Sequence, residues 1–173
     1  MKIPEEKMYK ALDRQDFDLD IKKYWCELRI KNPPVRRTNH VGFLYNDYYY
    51  IFGGRDINMT KMNDMHKIHL DLNTENIQVE KWQKEENFGD LPDLIAEHRG
   101  VLIGNKFYIF GGVNASEEVL NSIYIYSIEN QSWEKKRFDE DEIPPRTGHS
   151  MSSIGNKIIV FGGFAKGKIS NDV

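Results

Sequence analysis

The sequence predicts an all-β protein assembled from repeated units of four antiparallel strands. A pattern running from a histidine to a double glycine occurs three times, each copy holds two apolar runs around a short turn, and Asn and Trp recur at fixed intervals afterwards. Alternating apolar residues on both sides of an Asn or Gly turn are typical of β-hairpins. The later Asn and Trp positions make the repeating unit larger than one hairpin.

The first two strands of each unit form the predicted hairpin. The three copies begin at His40, His98 and His149, and their turns are Asn46-Asp47, Gly104-Asn105 and Gly155-Asn156. Each second apolar run ends in Ile-Phe or Val-Phe before the paired glycines Gly53-Gly54, Gly111-Gly112 and Gly162-Gly163. Because glycine tolerates positive φ and lets neighbouring chain approach closely, we expect these pairs to have a structural role.

A third strand is predicted to begin after each recurring asparagine. Asn63 and Asn121 follow the second glycine of their copies by nine residues, and Asn171 follows its glycine by eight. An apolar residue stands two places after each asparagine, at Met65, Ile123 and Val173. The third unit therefore reaches the start of this strand at the last residue of the sequence.

A tryptophan marks the predicted fourth strand. Trp82 precedes His98 by sixteen residues, and Trp133 precedes His149 by the same interval. The first unit is seven residues longer than the second, and the extra residues all lie between Asn63 and Trp82. We therefore predict a longer turn between its third and fourth strands.

The N-terminal residues contain a similar tryptophan. Trp25 precedes His40 by fifteen residues, so residues 24–28 are predicted to be the fourth strand of a preceding or closing unit. Residues 17–20 match the end of a third strand, while a short helix over residues 5–12 is an equally good interpretation of that region.

Together these residues resemble the kelch repeat, the blade unit of one class of β-propellers. A period near 50 residues with four strands per repeat is typical of that family. The resemblance covers residues 24–173 and implies a partial propeller of about three four-stranded antiparallel blades. It rests on Arg37-Thr38-Asn39-His40, Arg146-Thr147-Gly148-His149, the three Phe-Gly-Gly endings, the run from Asn121 to Tyr126, Trp82 and Trp133.

The second copy departs from the family pattern just before its histidine. Ile95 stands where the family has arginine, and Glu97 stands where it usually has glycine. We therefore expect the segment leading into the second blade to be held differently.

The predicted organisation is an N-terminal arm over 1–23, a fourth strand over 24–31, kelch repeat 1 over 32–85, repeat 2 over 86–136 and a truncated repeat 3 over 137–173. Two explanations of the open third repeat remain. The missing blades belong to the rest of a longer chain, or the open edges pair with a second subunit, in which case two chains would form six blades.

The recurring residues are predicted to be structural. A four-stranded blade buries both faces against its neighbours, which favours large aromatic residues between blades. Equivalent positions on separate blades need not converge on one ion, so the histidines are expected to bind no metal. His66 and His69, three apart on a strand, face opposite sides and cannot form a ligand pair. The predicted structural residues are His40, Gly53, Gly54, Trp82, His98, Gly111, Gly112, Trp133, His149, Gly162 and Gly163.

Composition favours a cytoplasmic interaction module, with cytoskeletal association as an option. The net charge of -3 and the scattered basic residues argue against nucleic-acid binding. One cysteine, Cys26, excludes an internal disulfide. The sequence contains neither a signal-peptide pattern nor a stretch that resembles a membrane span, and no cofactor is expected.

A protein partner is expected on the face that carries the connections after the second strand and between blades, here called the loop face. The kelch resemblance implies that this face binds proteins, since kelch propellers commonly do so. Charged loop residues favour docking of a partner with a basic segment, although a solvated rim is the commoner meaning of such charges. The candidate binding residues are Arg36, Arg37, Arg55, Asp56, Asn58, Lys61, Asn114, Glu117, Glu118, Asp139, Glu140, Asp141 and Glu142.

The expected function is a non-catalytic protein-interaction scaffold or adaptor. The alternatives are the substrate-recognition part of a ubiquitin-ligase adaptor, a cytoskeleton-associated assembly, and a fragment of a kelch-like oxidase. The oxidase would need a cysteine cross-linked to a tyrosine at its centre, whereas Cys26 lies beside Trp25 on a predicted outer strand. No nucleophile elbow, phosphate loop or zinc spacing is present, so no catalytic residue is predicted.

Overall fold

A computed structural model describes residues 30–71, 78–79, 81–139 and 142–173. Regular structure within these residues consists of β-strands, and no helix long and apolar enough to cross a membrane occurs among them. The strands are β1 Val41–Tyr45, β2 Tyr48–Phe52, β3 Met65–Asp71, β4 Gln78–Val79, β5 Gln83–Lys84, β6 Phe88–Gly89, β7 Ile95–Ala96, β8 Arg99–Ile103, β9 Lys106–Phe110, β10 Val113–Asn114, β11 Ile123–Ser127, β12 Ser132–Lys136, β13 Arg146–Thr147, β14 Ser150–Ile154, β15 Lys157–Phe161, β16 Phe164–Ala165 and β17 Lys168–Ile169.

The second repeat forms a complete four-stranded antiparallel blade, blade 2, in the order β8-β9-β11-β12. Its hairpin closes at the pair Ile103 and Lys106, around the turn that the sequence predicts. The short strand β6 adds to the outer edge by pairing parallel to β12. The predicted strands of this unit are therefore confirmed.

Blade 1 has the same order for β1-β2-β3 but a broken fourth strand. Both β4 and β5 pair antiparallel to β3, with Leu70 opposite Val79 and Lys67 opposite Gln83. The outer chain thus contains one residue more than β3 between these pairs, which is the arrangement of a β-bulge. Trp82 lies at this break and not within a strand, so the prediction of a continuous fourth strand through Trp82 is wrong.

Blade 3 consists, in the described residues, of the hairpin β14-β15. Beside it, β13, β16 and β17 form a small sheet on the loop face. The other two repeats contain shorter equivalents, namely the pair β7-β10 and the bridges from Thr38 to Arg55 and from Arg55 to Lys61. The segment before each histidine therefore pairs with the segment after the double glycine of the same repeat.

The apolar core lies between blades 1 and 2. Phe43 stacks on Tyr50 with ring centroids 4.7 Å apart and on Phe107 of blade 2 at 4.1 Å. Trp133 of the outer strand packs on Phe52 of blade 1 at 4.8 Å. Its predicted place as a wedge between blades is confirmed, since aromatic rings supply large buried area at such contacts.

The first strands of successive repeats lie side by side, β1 against β8 and β8 against β14. This arrangement is that of consecutive propeller blades, and the predicted all-β partial propeller is confirmed. The predicted strand at Trp25, the N-terminal arm and the longer turn after β3 fall largely outside the described residues.

Candidate functional site

Neighbouring blades are joined on the loop face by a ring of three backbone hydrogen bonds. Gly54 N donates to Ile95 O at 2.9 Å, Ile95 N to Met62 O at 3.0 Å, and Met62 N to Gly54 O at 2.9 Å. The same ring joins blades 2 and 3 through Gly112, Arg146 and Leu120, with distances of 2.9, 3.1 and 2.9 Å. Each ring satisfies backbone groups that would otherwise lie unpaired at a crowded junction.

The paired glycines make these junctions possible. A Cβ at Gly53 would lie 2.7 Å from Cε1 of His98 in the next blade. A Cβ at Gly112 would lie 2.6 Å from Ala96 O and 2.8 Å from His98 N. The first glycine of a pair thus faces the next blade and the second faces its own, and both have positive φ.

The histidines fill the space that the glycines leave. His98 is completely buried and His149 is 2% exposed, and their rings meet the edges of Phe52 and Phe110 at 5.7 and 5.4 Å. Burial, with a contribution from Arg99, lowers the pKa of His98 to about 3 and that of His149 to about 4. Both imidazoles are therefore neutral near pH 7 and pack as apolar groups.

His40 occupies the corresponding position at the start of blade 1. Burial, followed by the charge of Arg37, lowers the pKa of this histidine. The part of the chain that the structure describes contains no group of three His, Cys, Asp or Glu side chains placed to hold a metal ion.

An arginine clamp holds the segment before the histidine in repeats 1 and 3. Arg37 donates to both carboxylate oxygens of Asp64, at 2.7 and 3.1 Å, and to Gly53 O at 3.0 Å. Although burial alone would raise the pKa of Asp64, hydrogen bonds from His66 and Arg37 hold it well below its usual range. Arg37 therefore fixes the chain before β1 to the chain before β3.

The clamp of repeat 3 repeats this geometry. Arg146 donates to the carboxylate of Asp172 at 3.0 and 2.8 Å and to Gly162 O at 2.9 Å. Hydrogen bonds from Arg146 and Ser170 hold the pKa of Asp172 well below its usual range. Bidentate arginine pairs of this kind add geometric specificity as well as energy.

Repeat 2 has no such clamp, as its departure from the family pattern leads us to expect. Ile95 and Ser122, both buried, take the places of the arginine and the aspartate. Glu97 adopts a φ of 63°, close to the 64° of Gly148 in the next repeat. Its carboxylate pairs with Arg55 at 3.0 Å and accepts a hydrogen bond from Thr147 at 3.0 Å. Glu97 therefore links blade 2 to both of its neighbours.

The recurring asparagines have a role that the sequence alone did not reveal. The side chain of Asn63 donates to Pro92 O at 3.1 Å, and that of Asn121 donates to Phe138 O at 2.9 Å. Each asparagine thus ties the start of a third strand to the connection that leads into the next blade. Their regular spacing was the available signal.

The loops after the first two double glycines have the same side-chain-capped turn. In repeat 1 the carboxylate of Asp56 accepts hydrogen bonds from the backbone N–H groups of Asn58 and Thr60, both at 2.9 Å. In repeat 2 the amide oxygen of Asn114 accepts from Ser116 and Glu118 at 3.0 and 2.9 Å. These bonds give both loops a defined shape, as in other Asx turns.

Several polar and charged residues predicted to bind a partner are used within the fold instead. Arg37 belongs to the clamp, Arg55 pairs with Glu97, and Asn114 is buried in its own turn. Lys61 is also buried and pairs with Glu117, which lies on the loop of the next repeat. A charge that is buried and paired is not available to a partner, and the sequence contains no direct signal of these pairings.

The other predicted binding residues divide into three groups. Asp56 is half-buried in its turn, and Glu140 and Asp141 lie outside the described residues. Those exposed to solvent are Arg36, Asn58, Glu117, Glu118, Asp139 and Glu142.

The loop face also exposes apolar side chains, whereas the predicted binding residues there are all charged or polar. Ile57 is 95% exposed, and Met59, Leu91 and Leu94 are 57%, 48% and 41% exposed. We call these four residues the loop-face patch. A contiguous exposed apolar surface is typical of interaction sites, whereas single exposed apolar side chains are normal on any surface.

A mainly apolar cavity of about 310 Å³ lies between blades 2 and 3. Its walls include Phe110, the counterpart of Phe52, which in the preceding junction contacts Trp133. The cavity is therefore the position where a tryptophan wedge packs one blade earlier. Its lining residues are Phe110, Ile123, Glu142, Ile143, Pro144, Arg146, Ile158, Val160, Asp172 and Val173.

Comparison with known proteins identifies a related family. Residues 67–173 match a family described as the KLHDC2/KLHL20/DRC7 Kelch-repeats domain. Kelch repeat-containing protein 2 of Saccharomyces cerevisiae is 30% identical over 152 residues, which are 82% of this chain and 17% of that protein.

Two further relatives carry different names. Tip elongation aberrant protein 1 of Schizosaccharomyces pombe is 30% identical over 147 residues, 80% of this chain and 12% of that protein. N-(sulfonatooxy)prop-2-enimidothioate sulfolyase of Thlaspi arvense is 33% identical over 141 residues, 79% of this chain and 38% of that protein. The chain thus spans well under half the length of these relatives.

Proposed function

Because the chain belongs to the kelch-repeat family of β-propellers, we propose that it is a protein-interaction module that docks a partner on its loop face. The loop-face patch is the observation that carries this proposal. Exposed apolar side chains have no evident role in holding the blades, whereas the recurring His, Gly, Arg and Asn residues do. Function in such a repeat scaffold is expected to lie in the loops that the framework positions.

The proposed role is that of a scaffold or adaptor in the cytoplasm. One relative is named for tip elongation, and this chain spans 12% of it. Another, from Dictyostelium discoideum, is named as Rho GTPase-activating protein gacHH and is 30% identical over 138 residues, which are 76% of this chain and 8% of that protein. Such different names on proteins that share these repeats favour a binding module used in several contexts. The two specific forms of this role that we propose as alternatives are the substrate-recognition part of a ubiquitin-ligase adaptor and a cytoskeleton-associated assembly.

A catalytic role is the less supported proposal. The relative from Thlaspi arvense is named as a sulfolyase. It is 33% identical to this chain over a stretch that makes up 79% of this chain. At the repeat junctions, Asp64 and Asp172 are bound in arginine clamps, and His98 and His149 are packed in the core. These side chains therefore have structural contacts, which favours a structural role over a catalytic one. We therefore propose binding without catalysis.

Affinity purification with quantitative mass spectrometry would test the docking face. The tagged chain would be compared with an Ile57→Asp, Leu94→Asp variant and with Leu44→Asp, which changes an exposed residue beside a hairpin turn on the opposite face. We expect the loop-face variant to lose proteins that both the original chain and Leu44→Asp retain. Identical protein sets from all three would contradict the proposal.

A further inference from the structure

We propose that the loop-face patch binds an extended or helical protein segment that carries apolar anchor residues flanked by lysine or arginine. This inference deepens the proposed function and rests on it. It names the chemistry of the partner segment and places its site at the junction of blades 1 and 2.

Two loops supply the patch, and backbone contacts hold them together. Ile57 and Met59 lie on the loop after the first double glycine, and Leu91 and Leu94 lie on the connection into blade 2. The hydrogen bond from Asn63 to Pro92 O and the bridge between Met62 and Ile95 join these segments. The two segments that carry the four apolar side chains are therefore held next to each other at Met62, Asn63, Pro92 and Ile95.

The patch is preorganised, which lowers the entropy that binding must overcome. The carboxylate of Asp56 fixes the backbone that follows Ile57 by accepting hydrogen bonds from the N–H groups of Asn58 and Thr60. The bridge between Arg55 and Lys61 closes the base of this loop. A side chain held in an exposed position by a rigid turn can act as a binding anchor without ordering the loop at the moment of association.

The charges around the patch select a basic partner. Arg55 and Lys61, the cations of the first loop, are already paired with Glu97 and Glu117. Asp93 stands between Leu91 and Leu94, is exposed, and has no ion-pair or hydrogen-bond partner among the described side chains. Asp90, next to Leu91, is exposed and accepts one hydrogen bond from the backbone of Lys135.

Within the two segments that form the patch, the charges left without an ion-pair partner are therefore negative. A basic segment would satisfy the carboxylates of Asp90 and Asp93 while its apolar residues cover the anchors. An acidic segment would meet like charge, and a purely apolar one would leave these carboxylates beside a dry interface without partners. Charge complementarity thus distinguishes between possible occupants of the same apolar surface.

Selection from a random sixteen-residue phage-displayed peptide library against the purified chain would test the inference. We expect enriched peptides to combine two or more large apolar residues with lysine or arginine and to be depleted of aspartate and glutamate. Dissociation constants of two enriched peptides, measured by fluorescence polarisation, should rise roughly tenfold for Ile57→Asp, as expected for a central anchor.

Charge variants and salt provide the second arm of the experiment. Asp93→Lys should weaken binding by roughly three- to tenfold, and raising the salt concentration should weaken binding to the original chain more than binding to this variant. Leu44→Asp, on the opposite face, is the matched control and should bind as the original chain does. Circular dichroism of each variant establishes that it has folded.

Three results would overturn the inference. If enriched peptides are acidic or lack basic residues, the predicted partner chemistry is wrong. If the peptides are sensitive to Glu142→Lys but not to Ile57→Asp or Asp93→Lys, the proposed docking face stands and its location at this patch is wrong. If no peptide is enriched, or if enriched peptides respond to none of the loop-face variants, both the inference and the proposed function fail.

Discussion

At the scale of single residues, the junctions between blades depend on glycines, which have no side chain, as well as on buried histidines. Each double glycine leaves room for a neutral, buried histidine, and the backbone ring of Gly54, Ile95 and Met62 closes the contact. The segment before the histidine is held by an arginine clamp in repeats 1 and 3 and by the ion pair of Glu97 in repeat 2. In each case a charged group stabilises a loop only because it has a defined partner.

Substitution of a junction glycine should therefore be far more costly than substitution of a turn glycine. Gly112→Ala would place a methyl group 2.6 Å from Ala96 O at a φ of 91°. We expect a loss of about 2 kcal/mol or more in the free energy of unfolding, measured by urea titration. Gly104→Ala, at a φ of 60° with open space around its Cβ, is the control.

The control variant should lose about 1 kcal/mol, because it incurs only the backbone cost of positive φ without a close contact. Equal destabilisation by the two substitutions would contradict the close packing of Gly112 against the segment before His98.

The buried histidines predict a pH-dependent stability. Burial lowers the folded-state pKa of His98 to about 3 and that of His149 to about 4, while an unfolded histidine titrates near 6.5. The unfolded chain therefore binds more protons below pH 6.5, and stability falls with decreasing pH from there to the folded-state values. The urea midpoint should be constant just above pH 7 and decline between about pH 6 and pH 4.

The lowered pKa values of Asp64 and Asp172 act in the same direction at lower pH, because protonation of either carboxylate breaks an arginine clamp. A His149→Phe variant should show a shallower decline between pH 6 and pH 4. A midpoint that rises on acidification over this range would show that the imidazoles are not buried in their neutral form.

At the scale of the structural element, the outer strand of a blade differs between repeats. The strand β12 is continuous, and its Trp133 is buried between Phe52 and Tyr126, with ring centroids 4.8 and 5.0 Å away. The corresponding strand of blade 1 is interrupted by a bulge at Trp82, whose ring meets Tyr49 at 6.4 Å and remains partly exposed. The same residue at the same repeat position therefore makes different energetic contributions.

We expect Trp133→Ala to lower the free energy of unfolding by about 3 to 5 kcal/mol, the usual cost of deleting a buried large aromatic side chain. Trp82→Ala should cost clearly less because its side chain buries less area. Thermal and urea unfolding of both variants would measure the difference. An equal effect at the two positions would argue against the interrupted outer strand of blade 1.

At the scale of the whole molecule, the third blade exposes residues that its neighbours bury. Phe161 is 51% exposed, whereas its counterparts Phe52 and Phe110 are 0% and 2% exposed. The strand β15 pairs with β14 on one side, and the cavity beside Phe110 lies where the previous junction holds a tryptophan. An apolar sheet edge of this kind is a surface on which another strand can add.

We therefore expect the 173-residue chain to self-associate at micromolar concentration, and sedimentation velocity would measure this. An Ile159→Lys, Phe161→Lys variant should sediment as a monomer, because charge on a sheet edge opposes pairing. Leu44→Lys, an exposed change on blade 1, is the matched control and should associate as the original chain does. A stable monomer of the original chain would contradict this prediction.

The sequence by itself determined the repeating framework. The sequence predicts the hairpins and third strands because turn residues and alternating apolar residues are local patterns. It predicts the wedge at Trp133 and the kelch identity because the same residues recur at a fixed spacing. The unusual segment before His98 was also apparent, since Ile95 and Glu97 break a pattern that two other copies keep.

Only the tertiary structure decided which side chains are available to a partner. Arg37 and Lys61 look like free polar loop residues in the sequence, but their side chains are buried by contacts with distant parts of the chain. Pairings such as Lys61 with Glu117, which are 56 positions apart, depend on how blades pack and not on local pattern. For the same reason the loop-face patch became visible only once two separate connections were seen to lie side by side.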